Sequence, residues 1–153
     1  MERFCELVER AESQDRECFA RDVVEMLGQL IAESHRIGST EPSDIDWPDG
    51  PSHEQWGDRR RAVQGTLDDW DTFQTVLSPL AETQEESALL LVSDQLADAW
   101  QCLRELLGMR DAGASLDDVL WEWRMGFHID WGFHAVEALR ALHARLAECS
   151  RNR

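Results

Sequence analysis

Two aspartates one helical turn apart, Asp94 and Asp98, and a histidine on an apolar stripe, His134, are the residues whose types and spacing suit chemistry. Carboxylates at i and i+4 stand one above the other on a helix, a spacing that can chelate a cation. A histidine shielded among apolar side chains, with a carboxylate to tune its basicity, can serve as a general base or a metal ligand. Asp130, one turn before His134, and Glu137, three residues after it, are in reach of such a bond. Both features have plainer readings. Rows of carboxylates on helices are ordinarily solvated, and a core histidine ordinarily bonds one ring nitrogen and packs like an aromatic ring. His134 is therefore expected to be structural. Its ring should be largely buried between the last two long helices, close to Trp131, with one nitrogen on a carboxylate or backbone carbonyl. His128 and His143 lie off its line, so there is no H-x-x-x-H zinc pair. Asp98 flanks Cys102 and Met109 at the edge of the packed face, and Arg124 is its expected partner.

The elements that must position these residues have the helical period. ERFCELVERA places Phe4, Leu7, Val8 and Ala11 at i, i+3, i+4 and i+7. Ser13 is expected to cap a second helix with Phe19, Val23, Met26, Leu27, Leu30, Ile31 and Ile37 in one stripe, ended by Gly38. The proline-rich stretch 39–52 is a loop, with Trp47 expected to be pinned over the core rather than exposed for a partner. Ser52 and Gln55 form a capping box for a helix that sends Trp56, Val63 and Leu67 inward. Arg59, Arg60 and Arg61 on its flank suit surface ion pairs, with a phosphate or carboxylate ligand as the alternative. GTLDDWDTFQTVLSPL reads as a turn or short helix, with Trp70 and Phe73 over the core and Pro79 as a breaker.

From about Glu85 to Arg110 a long helix is expected, with Leu89, Val92, Leu96, Ala99, Trp100, Leu103, Leu106 and Leu107 on its packed side. Asp111-Ala112-Gly113 turns the chain, and Ser115 with Asp118 caps the last helix. One apolar line there runs from Leu116 through Trp123, Phe127, Trp131 and His134 to Ala141. A second strip holds Trp121, Met125, Ile129, Val136, Leu139 and Leu146, so the helix should have neighbours on two sides. Unbroken to Ser150 it would be roughly 50 Å long, more than the about 40 Å span of a compact domain of this size. Gly126 and Gly132 are the expected bend sites, and 150–153 an expected frayed tail. Nothing alternates like a strand. The expected fold is all-α, a single bundle of about five helices with a long C-terminal central helix, over residues 1–153 as one domain.

The formal charge of −16 argues against nucleic acid, which needs a basic footprint. All 15 basic residues are arginine. No apolar run approaches the roughly 18 residues of a membrane span. The N-terminus is charged and helix-patterned rather than a secretory leader, so a cytoplasmic location is expected. Cys5, Cys18, Cys102 and Cys149 are scattered singly, which indicates neither a zinc knuckle nor a disulfide framework.

W-x-x-x-F-x-x-x-W-G-x-H followed by A-L-R-A-L-H, Trp123 through His143, resembles the bacterial domain of unknown function 5063. The similarity is clearest over residues 91–146 and includes Asp94, Leu96, Ala97, Asp98 and Trp100 on the preceding helix. The resemblance implies an all-helical fold and no established activity. Gln95 stands where the family pattern has a second aspartate, which weakens a three-carboxylate metal site.

With no nucleophile elbow, phosphate-binding glycine loop or strong metal spacing, the expected function is a non-catalytic protein-interaction module without cofactor or metal. Candidate binding residues are Trp47, Arg59, Arg60, Arg61, Arg124 and Trp131, and a basic protein suits the charge. The alternative is a small metal-dependent or acid/base enzyme using Asp94, Asp98 and His134. A third reading is an acidic mimic of nucleic acid.

Overall fold

Six helices, two single 3-10 turns and one antiparallel strand pair make up the described residues, 1–43, 47–76, 80 and 87–152, of the computed structural model. The helices are α1 (Glu2–Glu9), α2 (Arg16–Ser34), α3 (His53–Leu67), α4 (Val92–Asp111), α5 (Leu116–Ile129) and α6 (Trp131–Arg151). The fold is predominantly helical, as the apolar periods predict. One cluster of buried side chains draws on all six helices, from Phe4 and Phe19 through Val63 and Leu103 to Trp123 and Leu142. α4 packs against α1, α3, α5 and α6, while α6 packs against α2, α4 and α5. The central position is therefore shared. No helix is long and apolar enough to cross a membrane among the described residues.

The helix ends show which polar groups decide boundaries. Asp15, not Ser13, caps α2, its carboxylate accepting from the N–H groups of Glu17 (3.0 Å) and Cys18 (3.1 Å). α2 stops at Ser34 rather than at Gly38. The Ser34 hydroxyl donates to Leu30 O (2.8 Å) and accepts the Trp123 indole N–H (2.6 Å), fixing this end against α5. The capping box on α3 is present in both directions, Gln55 N to Ser52 Oγ and Ser52 N to Gln55 Oε1. Ser115 caps α5 through Asp118 N (3.1 Å), and the Asp118 carboxylate also accepts from Ser43 N (2.6 Å), tying down the proline-rich loop. Gly113 turns the chain at φ +92°, a conformation glycine adopts without strain.

A further expectation needs correction. There is a sheet: β1 (Thr72–Thr75) pairs antiparallel with β2 (Ala88–Leu91), Thr72 opposite Leu91. Leu89 is thus a strand residue, 66% exposed, and the long helix begins at Val92. Glu85 and Pro79 lie outside the described residues. The apolar run ALLLV fits either period, and what decides it is Asp71. Its carbonyl accepts from Val92 N (2.7 Å) and its carboxylate from Ser93 N (2.7 Å) and Ser93 Oγ (2.9 Å). A residue before β1 thereby caps α4 from outside, at a position where a longer helix would need those N–H groups for itself.

The C-terminal helix bends between the two glycines expected to bend it, as a full break into α5 and α6. It breaks at Asp130, whose φ of −147° and ψ of −99° belong to no helix. Gly126 and Gly132 bracket the break and permit the close approach. A Cβ on Gly132 would lie 1.9 Å from the Phe127 carbonyl oxygen, and one on Gly126 would lie 2.8 Å from Trp131 Cδ1. The bend lets Trp131 fold back over α5, its indole N–H on Trp123 O (3.2 Å) and its ring 5.9 Å from that of Trp123, edge to face. Because the obstacle at Gly132 is backbone, Gly132→Ala is expected to cost about 3 kcal/mol in urea-induced unfolding. A variant as stable as the parent would show that the elbow can open without loss.

Candidate functional site

α4, α6 and α3 bring one constellation together beneath the elbow. His134 sits one turn into α6 and faces α4. Its Nδ1 is 2.9 Å from Gln95 Oε1 and 3.6 Å from Asp98 Oδ2, and its Nε2 is 3.4 Å from Asp130 Oδ1. Against the Gln95 amide oxygen, Nδ1 is the donor. Asp98 uses its other oxygen to accept the Trp56 indole N–H (2.8 Å). The ring is half-buried, 28% exposed, rather than largely buried as expected, and its hydrogen-bond partner is an amide, not a carboxylate or backbone carbonyl. Gln95 is itself buried on the inner side of α4, so it meets His134 first.

Asp94 stands apart from this group. Its carboxylate pairs with the Arg60 guanidinium on α3. Asp94 and Asp98 therefore do not act as one chelating pair: each answers a different residue of α3. Arg124 is not the partner of Asp98, and it makes no ion pair among the described residues; Trp56 and His134 hold that place. Among the described residues no group of three His, Cys, Asp or Glu side chains is arranged to hold a metal ion.

Burial pushes the Asp98 carboxyl above its ordinary range, and the nearby Asp94 and Asp130 carboxylates add to this, while His134 and the Trp56 bond oppose it. Cys102 donates from Sγ to Asp130 Oδ2 (3.2 Å). Burial, that bond and the surrounding carboxylates push the Cys102 thiol pKa well above the usual range and favour the protonated form. Taken together, the group is a polar clasp: Trp56 on α3, Gln95 and Asp98 on α4, Asp130 at the elbow and His134 on α6.

The candidate binding residues are spread over the molecule. Trp47 is partly buried against the core and lines a cleft with Cys102, Glu105, Glu122 and Asp130. Arg59 donates to Glu9 O (3.1 Å), Arg60 pairs with Asp94, and Arg61 pairs with Asp58 on its own helix. Trp131, 1% exposed, is core. Sequence reasoning gave Gln95, Trp56 and Cys102 no part in the site, because their importance lies in what α3 and α6 place opposite them. The one available signal was position: Gln95 and Cys102 are seven apart on α4, with Asp98 between them on the same side.

His134→Ala leaves the buried Gln95 amide without its donor and is expected to cost about 2 kcal/mol in equilibrium unfolding, with His134→Gln recovering part. Asp98 gives a pH test. A raised native pKa means that the folded chain holds this proton more tightly than the unfolded one. The resulting stability is present below the unfolded value of about 4 and is lost as pH rises through the native value. Asp98→Asn keeps the acceptor for Trp56 and carries no charge. It should exceed the parent in stability at about pH 7, the gap closing on acidification; a constant gap would contradict the burial argument.

No curated protein matches the sequence. Among solved structures the chain resembles the crystal structure of protein BF1032 from Bacteroides fragilis, at 24% identity and a TM-score of 0.77, over 92% of this chain and 84% of that one. That likeness is one of fold. Residues 1–148 match the domain of unknown function DUF5063, so the helices, the elbow and the clasp described above are those of a member of the DUF5063 family.

Proposed function

We propose that this domain is a non-catalytic protein-interaction module, acting in the cytoplasm through the outer side of the elbow. The observation that carries this reading is an apolar surface on α5 and α6: Met125, Ile129, Phe133 and Val136 are 38%, 68%, 65% and 46% exposed. Met125 and Ile129 stand one turn apart on α5, and Phe133 and Val136 one turn apart on α6, on either side of the break, and large apolar side chains exposed in a group mark contact surfaces more often than single ones do. The charge of −16 suits a partner with a basic rim around an apolar centre. The reading draws further support from the clasp, where the His134 ring nitrogen meets the Gln95 amide and the Asp98 carboxylate accepts from Trp56 within the fold. Asp98 beside His134 is the observation that favours the acid/base alternative.

The test is cross-linking in host cells with the parent and with Ile129→Glu combined with Phe133→Glu, both side chains lying outside the core. A partner captured by the parent and lost by the variant, at unchanged melting temperature, is the expected result. The same captured set from both would overturn the reading, as would sedimentation showing that the patch joins two copies of this chain.

A further inference from the structure

A second surface lies far along α6 from the elbow, and its chemistry is opposite. In an antiparallel pair alternate residues turn both backbone groups away from the partner strand. On β1 the outward carbonyls are those of Thr72 and Gln74. Arg145 donates to Thr72 O (3.1 Å) and Asp69 O (3.2 Å), and Arg140 donates to Gln74 O (3.2 Å). The acceptors of this edge are thus already answered, while the N–H groups of Thr72 and Gln74 face the same way as their carbonyls. What remains along the edge is donors: N–H groups and guanidinium forks. A surface of donors fits a ligand of acceptors, and a carboxylate accepts only.

The groove between β1 and α6, about 610 Å³, has Phe73, Leu89 and Ala144 as its apolar lining and Arg140, Arg145 and Arg151 along its length. Arg140 also lies 3.5 Å from Glu137, and Arg145 3.9 Å from Glu148. From Arg140 to Arg151 the helix advances about 16 Å, too far for one small anion to bridge. Screening limits the reach of distant charge to a Debye length of about 8 Å at physiological salt, so a ligand in the groove answers to the three arginines and to Glu137 and Glu148 beside two of them, Glu148 also lining the groove, while Arg151 makes no ion pair among the described residues. We propose that this groove docks an extended acidic segment of a partner protein, with carboxylates on Arg140, Arg145 and Arg151 and an apolar side chain on the exposed Leu89. This is independent of the elbow surface.

Fluorescence anisotropy with a labelled peptide alternating glutamate and leucine tests it on the full chain. Saturable binding at physiological salt is expected, weakened by roughly tenfold in Arg151→Gln, the loss of a charge-assisted bond. Arg151 makes no bond to β1 among the described residues, so this variant should fold as the parent does, whereas Arg145→Gln removes support from the strand itself. No saturable binding would overturn the proposal, and so would equal binding of a glutamine–leucine peptide or parent-like affinity in Arg151→Gln. Complete displacement of the peptide by equimolar inorganic phosphate would assign the groove to small oxyanions instead. Self-association abolished by Arg151→Gln would assign it to a second copy.

Discussion

The backbone contact between the Phe127 carbonyl and Gly132 is the constraint on which the C-terminal half of the molecule turns. A side chain at position 132 would hold the two helices apart. With none, the chain reverses direction enough for Trp131 to pack on both Phe127 (5.2 Å between rings) and Trp123, sealing the core at 1% exposure. The same reversal sets the Asp130 carboxylate between Cys102 and His134. It also leaves Ile129 and Phe133 outward on either side of the break. Core, clasp and candidate contact surface are consequences of one missing Cβ.

Charge in this chain is handled by guanidinium forks. Arg104 grips Glu9 through two bonds (2.6 and 2.7 Å), and the Trp100 indole joins the same carboxylate (3.0 Å), so α1 is clamped to α4. Arg16 pairs with Asp69 and lies 4.8 Å above the Trp70 ring, holding the 3-10 turn that leads into β1. Arg145 reaches two carbonyls at once. A lysine has neither the planar fork nor the second donor direction these contacts use, and the chain has none. An acidic chain of this kind keeps its few cations as braces between elements.

What the sequence made legible follows from how local each signal is. The capping box at Ser52 and the N-cap at Ser115 involve residues three apart, and both are present. The apolar stripes of α2, α4 and α6 are periodic over many residues, and Phe19, Leu27, Leu103, Ala138 and Ala141 are indeed buried, whereas Leu116 and the second strip's Met125, Ile129 and Val136 are exposed. The failures lie where a distant group outbids a local one. Asp71 caps α4 across 22 residues, which no window on ALLLV can reveal. Trp123 sets the end of α2 from 89 residues away. In the clasp, His134, Asp98 and Asp130 stood out because their types are conspicuous, whereas Gln95 drew notice only as a departure from a pattern. Its role depends on α6 crossing α4 at that level, a tertiary fact.

The Asp71 cap has a kinetic consequence. α4 carries the core positions from Val92 to Met109, yet its first turn gains its acceptors only when a residue on the far side of the hairpin arrives. Nucleating a helix turn is unfavourable by a factor of roughly a thousand, so elongation from an interior turn precedes capping. Closing a loop of this length takes well under a microsecond, but the contact holds only once β1 and β2 have paired, on the order of microseconds. On these rates α4 is expected to grow backward to Val92 and to be locked there last, the hairpin acting as a latch on a helix whose middle packs against α1, α3 and α6.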